Sequence, residues 1–337
     1  MKSVAIVGAS GYSGAELMRI LVRRNDIVLA AVMAGKSAGE RVDALYPDLA
    51  GRIDLTFEVV DPTRLEGMDL VFLALPSGES MELAPRLMAG QAKVIDLSGD
   101  FRLPDAGLYK QFYGRDHAAS ALLEMAVYGL PELNRDAIRR ARLVANPGCY
   151  PTAAILALLP ALRNGLIDPA SVVISSLSGV SGAGRSASVD LSFSEVNENV
   201  RAYKVGNHQH IPEIQHVLER IAGGPVRLTF IPHLVPITRG IYTTVCADLV
   251  RGLTTEEVLA LYDDSYAGAP FVRVKRRVPE IRAVVNTNYC DIGLTVEGRT
   301  NRLIIQSVID NMVKGAAGQA VQNMNLMFGV AEEVSLI

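Results

Sequence analysis

The sequence predicts an α/β protein in which a Rossmann-type doubly wound parallel sheet is followed by an α+β domain with a mixed sheet. Three observations carry this reading. A glycine-rich turn, Gly8 to Gly14, follows an apolar run at the start of the chain. Apolar, strand-like runs then alternate with helical stretches. Near residue 150 that alternation stops, and strands recur at less regular spacing. Residues 3–7 (SVAIV) read as a buried strand, and a helix is expected from Ala15 to Arg24. Residues 27–33 (IVLAAVM) give a second strand, Leu70–Leu75 a third and Lys93–Leu97 a fourth, with a helix at Glu79–Met88. Apolar strands joined by helices form parallel sheets, because each crossover lays a helix on a sheet face. In the second half, Val172–Leu177, Val226–Ile231, Ile241–Leu249, Phe271–Arg276 and Leu303–Val308 read as strands of a mixed or antiparallel sheet. The segment Asn311–Phe328 reads as one helix that returns to the first domain.

The chain has 337 residues, room for a large core and about two domains. Net charge is −3 with both signs interleaved, which gives no polycationic face for nucleic acid. No segment reaches the roughly 18 apolar residues of a membrane helix, and the N-terminal apolar run is too short for a secretory signal. Cys149, Cys246 and Cys290 are widely spaced and odd in number, so neither a disulfide framework nor a CxxC metal site is expected. A reducing cytoplasm suits such lone thiols.

The turn Gly8-Ala9-Ser10-Gly11-Tyr12-Ser13-Gly14 is a GxxGxxG variant of the dinucleotide fingerprint. Glycine lets the backbone approach a pyrophosphate at a helix N-terminus, where unpaired N–H groups favour an anion. Gly8, Ser10, Gly11, Tyr12, Ser13 and Gly14 are therefore the expected cofactor contacts. After the second strand the chain reads Met33-Ala34-Gly35-Lys36-Ser37, without the carboxylate that binds a ribose 2′-hydroxyl. Lys36 and Ser37 suit a 2′-phosphate, so NADP is favoured over NAD.

Asn146-Pro147-Gly148-Cys149-Tyr150-Pro151-Thr152 precedes an apolar helix, Ala153 to Leu162. A cysteine at a helix N-terminus is favoured as thiolate and has N–H groups nearby for an oxyanion. Cys149 is the expected nucleophile; Cys246 and Cys290 read as structural. His208 and His210 lie in a loop expected to enter a helix at Pro212, exposed and placed to move a proton. His117 and His216 read as structural, and His233 as standing behind the reacting groups. An HxH pair lacks a third ligand here, so no metal is expected. The loop Ser178-Gly179-Val180-Ser181-Gly182-Ala183-Gly184-Arg185 follows a strand and suits backbone contact with phosphate or nicotinamide.

Together these segments resemble the N-acetyl-gamma-glutamyl-phosphate reductases of arginine biosynthesis. The resemblance covers nearly the whole chain: GASGYSGAEL (8–17), VFLALPSG (71–78), IDLSGDFRL (95–103), VYGLPELNR (127–135), NPGCYPT (146–152), SGVSGAGR (178–185), NHQHIPEI (207–214), IPHLVPITRGI (231–241) and DNMVKGAAGQAVQNMN (310–325). Aspartate semialdehyde dehydrogenases, which belong to the wider superfamily, share the Rossmann domain, the cysteine and the chemistry. The resemblance implies NADPH-dependent reduction of an acyl phosphate through a cysteine thioester, with Cys149 as nucleophile and His210, ahead of His208, as acid–base. It implies cofactor contacts at Pro76, Ser77 and Asn311, and substrate contacts at Arg102, Ser181, Arg185 and His208. It also implies a homodimer or homotetramer. Some relatives carry Ser-Arg after the second strand where this chain has Ala34-Gly35-Lys36, and many carry His where it has Ser77. Close rivals are aspartyl phosphate and an aminoadipyl phosphate, since one methylene changes binding by only about 1–3 kcal/mol. A non-catalytic nucleotide-binding regulator is the rival of another class, and it would be expected to lose the cysteine turn or the histidine loop. The expected division is 1–148 for the NADP-binding domain, with 310–337 packed back on it, and 149–309 for the catalytic and oligomerisation domain.

Overall fold

The computed structural model describes all residues, Met1–Ile337. It divides into two units, Met1–Gly148 with Ala316–Ile337, and Cys149–Gly315.

The first unit is built on six parallel strands: β1 (Lys2–Val7), β2 (Ile27–Met33), β3 (Leu70–Leu73), β4 (Lys93–Asp96), β5 (Val127–Tyr128) and β6 (Leu143–Ala145). Their order is β2-β1-β3-β4-β6-β5, so the chain reverses direction across the sheet between β1 and β3. In doubly wound folds a ligand sits at the carboxyl ends of the strands flanking such a point. The helices are α1 (Tyr12–Leu21), two short turns α2 (Val42–Leu45) and α3 (Pro62–Glu66), α4 (Ser80–Ala89), α5 (Ala106–Tyr113) and α6 (Pro131–Arg140). Alternate residues of β1 feed two cores. Val4 and Ile6 pack with Leu17 and Met18 of α1, while Ala5 and Val7 pack with Met81, Ala84 and Leu87 of α4. The first helix starts at Tyr12, ahead of the expected Ala15, because Gly11 already takes the extended N-cap conformation and accepts from the Ala15 amide at 2.9 Å.

The second unit carries α7 (Cys149–Arg163), α8 (Phe193–Val196), α9 (His210–Ala222) and α10 (Thr255–Tyr266). Its mixed sheet contains β7 (Val172–Ser178), β8 (Arg201–Ala202), β9 (Leu228–Leu234), β10 (Ile241–Asp248), β11 (Val272–Lys275), β12 (Cys290–Glu297) and β13 (Arg302–Ile309), in the order β11-β12-β13-β10-β7-β9-β8. The middle pairs are antiparallel, β12 with β13, β13 with β10 and β10 with β7, while β7 with β9 and β11 with β12 run parallel. α7 is buried from Tyr150 to Leu162, which is why its sequence is apolar on every side.

The chain then returns to the first unit as α11 (Gly318–Phe328). The single helix expected over Asn311–Phe328 is divided. Asp310 Oδ1 accepts from the Met312 and Val313 amides, the Gly315 amide reaches back five residues to the Asp310 carbonyl, and one π-helical turn (Val313–Ala317) precedes α11. Two buried amides on α11 are tied to other parts of the first unit. Asn323 Nδ2 donates to Gly129 O at 2.8 Å, and Arg24 Nη1 donates to Asn325 Oδ1 at 2.6 Å. No helix is long and apolar enough to cross a membrane.

Candidate active site

In the first unit the glycine turn is set by contacts that only glycine permits. Gly8 has φ +82°, and a Cβ there would lie 2.2 Å from Ala74 O at the end of β3. A Cβ on Gly14 would lie 2.6 Å from Gly8 O. The amides of Gly8 and Ala9 both donate to Met33 O, which ties the turn to the end of β2, and Tyr46 donates its hydroxyl proton to Ser10 O at 2.7 Å. No side chain caps α1. Its first amides therefore face outward at the β1–β3 reversal, the cradle a pyrophosphate needs. Ser10, Gly11 and Ser13 are half-buried, and Tyr12 is exposed. Lys36 is exposed and Ser37 buried on the turn after β2, with no carboxylate among residues 33–37.

Pro76 is exposed and Ser77 half-buried at the carboxyl end of β3. Ser77 Oγ accepts from the Gly99 amide at 3.2 Å. Asp100, which the sequence reading did not single out, organises this loop. Its carboxylate accepts from the Gly78 amide at 2.7 Å, the Met81 amide at 3.0 Å and the Tyr109 hydroxyl at 2.7 Å. Arg102, expected at the substrate, donates to two backbone carbonyls, Asn146 O at 2.8 Å and Leu97 O at 2.7 Å, and so braces the approach to residue 148.

Asp96 lies fully buried at the end of β4, hydrogen-bonded to the Ser98 amide and hydroxyl. Burial, and secondly the charge of Asp100, pushes its carboxyl from 3.8 up to about 6. The protonated form suits the folded state, so its stabilising contribution is complete below the ordinary carboxylate range and is lost as pH rises through about 6. Such a rise corresponds to about 3 kcal/mol. Asp96→Asn should therefore lose less stability than the unaltered protein between pH 4.5 and 7.5, a comparison that thermal melting across that range makes directly. Parallel melting curves for the two proteins would contradict it.

In the second unit Cys149 is the first residue of α7 and is half-buried. A Cβ on Gly315 would lie 2.8 Å from Cys149 Cβ, so only glycine lets that backbone pass. The neighbouring Tyr150 is enclosed edge-on by His208, His210 and Phe230, with ring centroids 5.6, 5.9 and 5.3 Å away. Tyr203 donates to Tyr150 Oη at 3.1 Å, and Tyr150 donates to His233 O at 3.3 Å. Burial holds the Tyr150 hydroxyl far above its usual range and pushes Tyr203 up to about 12, so both remain proton donors.

The histidines differ from expectation. α9 begins at His210 rather than Pro212, and both rings are buried rather than exposed, His208 at 2% and His210 at 9%. His208 Nδ1 accepts from the His210 amide at 3.1 Å, which places the proton of the neutral ring on Nε2. Burial, and secondly Lys204, lowers His208 to about 4. His208 is thus a neutral residue at the start of α9, and its ring packs edge-on against Tyr150, Tyr203 and Phe230.

The Ser178–Arg185 loop is pinned by backbone bonds: Gly179 N to Gly240 O at 2.9 Å, Val180 N to Ile237 O at 2.9 Å and Ser181 N to Thr238 O at 3.1 Å. Asn311, expected to contact the cofactor, is 2% exposed, and both ends of its amide are used within this unit. Its Oδ1 accepts from Gly240 N at 2.7 Å and its Nδ2 donates to Ser181 Oγ at 2.9 Å. Ser181 is buried, whereas Arg185 is exposed just past Gly184. Cys290 is buried with its sulfur 3.3 Å from Ser307 Oγ, and Cys246 is half-buried in β10. No group of three His, Cys, Asp or Glu side chains is arranged to hold a metal ion.

Comparison with known proteins follows the same division of the chain. Residues 3–141 match the family model "Semialdehyde dehydrogenase, NAD binding domain", and residues 149–311 match "Semialdehyde dehydrogenase, dimerisation domain". The chain is 52% identical to the N-acetyl-gamma-glutamyl-phosphate reductase of Pelotomaculum thermopropionicum, over 99% of this chain and 97% of that protein. It is 50% identical to the one of Halorhodospira halophila, over 100% and 98%. Among solved structures, aspartate semialdehyde dehydrogenase II of Vibrio cholerae shares the fold with a TM-score of 0.76 at 18% identity, covering 98% of each chain. The Candida albicans aspartate semialdehyde dehydrogenase with NADP gives a TM-score of 0.71 at 14% identity, covering 99% of each.

Proposed function

The chain belongs to the N-acetyl-gamma-glutamyl-phosphate reductase family, and from that premise we propose that it reduces N-acetyl-γ-glutamyl phosphate to N-acetylglutamate 5-semialdehyde in arginine biosynthesis. The observation that carries the chemistry is the placement of Cys149 as the first residue of α7, beside a tyrosine enclosed by two histidines.

The Cys149 thiolate attacks the acyl carbon, a C–S bond forms, and the C–O bond to phosphate breaks. Inorganic phosphate leaves with the bonding pair and takes up a proton. NADPH, which the Gly8–Gly14 turn, Lys36, Ser37, Pro76 and Ser77 are proposed to hold, supplies the hydride when bound. The amides at the start of α7 hold the thiohemiacetal oxygen, where preorganised donors are worth most. His210 exchanges the proton on that oxygen as the C–S bond breaks and the thiolate is regenerated. A thioester suits the task because sulfur overlaps poorly with the carbonyl and leaves its carbon electrophilic. Ser181, Arg185 and Arg102 are proposed to frame the substrate's anionic groups, Arg102 through the loop it braces.

The match of the second unit to a dimerisation domain supports a homo-oligomer, which we take to be a homodimer or a homotetramer. A reducing cytoplasm is the setting in which Cys149 stays a free thiol.

The reaction is tested in reverse, following NADP reduction with N-acetylglutamate semialdehyde and phosphate beside aspartate semialdehyde. Phosphate-dependent turnover restricted to the acetylated substrate is expected. Turnover with aspartate semialdehyde instead would keep the thiol chemistry and overturn the substrate.

A further inference from the structure

Asp310 is completely buried at the end of β13, and all of its capacity is spent on backbone and one cation. Oδ1 accepts from the Met312 amide at 2.7 Å and the Val313 amide at 3.1 Å. Oδ2 accepts from the amide of Asn286, a residue at φ +62°, at 2.7 Å. Arg239 Nη1 stands 3.6 Å from the same oxygen, which offsets the buried charge. The Asp310 carbonyl closes the π turn by accepting from the Gly315 amide at 2.9 Å.

That turn ends against the nucleophile. A Cβ built on Gly315 would lie 2.8 Å from Cys149 Cβ, 3.3 Å from Cys149 Cα and 3.3 Å from Asp310 O. The Gly315 backbone is therefore one wall of the space in which the sulfur turns. π-helical turns cost hydrogen-bond geometry and recur at functional sites. Here the side chain that makes the turn possible is Asp310.

We propose that Asp310 is a positioning residue: by holding the Asp310–Gly315 turn closed, it seats Gly315 against Cys149 and restricts the thiolate to the direction of attack. This rests on the reading of Cys149 as the nucleophile. Arg239 stands beside the buried carboxylate, and the neighbouring Gly240 amide anchors Asn311, so the segment that starts at Asp310 ties the cysteine wall to the loop that carries Ser181.

The test is a single-turnover experiment. Enzyme and NADP are mixed with N-acetylglutamate semialdehyde in the absence of phosphate, so each Cys149 that forms a thioester yields one NADPH. The amplitude counts competent molecules, and the rate constant reports how well the sulfur is placed. Asp310→Asn and Gly315→Ala should each lower the rate constant about tenfold or more while the amplitude, per NADP bound, stays near that of the unaltered enzyme. Gly315→Ala tests the wall itself, since its Cβ would meet Cys149 at 2.8 Å whatever Asp310 does; Asp310→Glu, which keeps the carboxylate but displaces it by one methylene, carries the test of Asp310 if Asp310→Asn fails to fold. An unchanged rate constant in any folded variant, or a loss of amplitude alone, overturns the proposal. Cys149→Ser run alongside separates the two ideas. A burst without that cysteine would sink the nucleophile reading itself, whereas its absence beside a normal Gly315→Ala burst would sink only the positioning role.

Discussion

Cys149→Ser is expected to remove turnover by roughly four orders of magnitude or more while the protein stays folded and still binds NADP. The size of the effect follows from what serine lacks. Its hydroxyl is far less ionised than a thiol at neutral pH, and an oxygen ester is a poorer electrophile for reduction than a thioester. Removing a nucleophile costs nearly the whole covalent pathway rather than one interaction in it. The exchange is close to isosteric, so the wall formed by Gly315 should be undisturbed. Steady-state rates in the phosphate-dependent direction, with far-UV circular dichroism as a folding control, make the measurement. Retention of a tenth of the activity would show that bond formation to Cys149 is not on the pathway.

His210→Asn should lower kcat by about a hundred- to ten-thousandfold, the usual range for a positioned acid–base group, with little change in KM for either substrate. His208→Asn should do less. His208 supports its neighbour through the Nδ1 bond to the His210 amide, and asparagine offers an oxygen for the same amide. Its ring stays neutral across the physiological range, since burial lowers it to about 4. Comparing kcat for the two variants decides between the histidines: a larger loss at His208 would exchange their roles.

Much of this was legible in the sequence because the chemistry involved is local. A glycine turn between a strand and a helix, and a cysteine ahead of an apolar helix, are written in consecutive residues. The parallel sheet was legible for a related reason, as strands covered on both faces read as uninterrupted apolar runs. β12 was not. Its sequence, CDIGLTVE, places Asp291 and Gly293 inside the strand. Asp291 is buried there only because Arg273 and Lys275 of β11 pair with it, and Gly293 is required because a Cβ would lie 2.9 Å from Arg277 O. Both reasons are tertiary. The burial of His208 and His210 was hidden in the same way, since Tyr150 and Phe230 lie far from them in the chain. The hydrogen bonds that Asn311 makes to Gly240 and Ser181 were hidden in the same way, since both lie far from it in the chain. Asp310 beside it gave no signal of its own, because its partners Asn286 and Arg239 are brought to it only by the sheet.

The late return of α11 has a consequence for synthesis. Val4, Ile6, Phe72 and Ile95 share one core with Ala320, Val321 and Met324, and Arg24 is joined to Asn325 across 301 residues. A ribosome that has delivered the whole parallel sheet has therefore delivered it with the part of one apolar side beside α1 still uncovered, and the entire second unit must be translated before the rest of the cover emerges. Nascent chains of this protein spend most of their elongation time in that half-dressed state, where chaperone capture and premature aggregation compete for the same surface. The codons for α11 close that window.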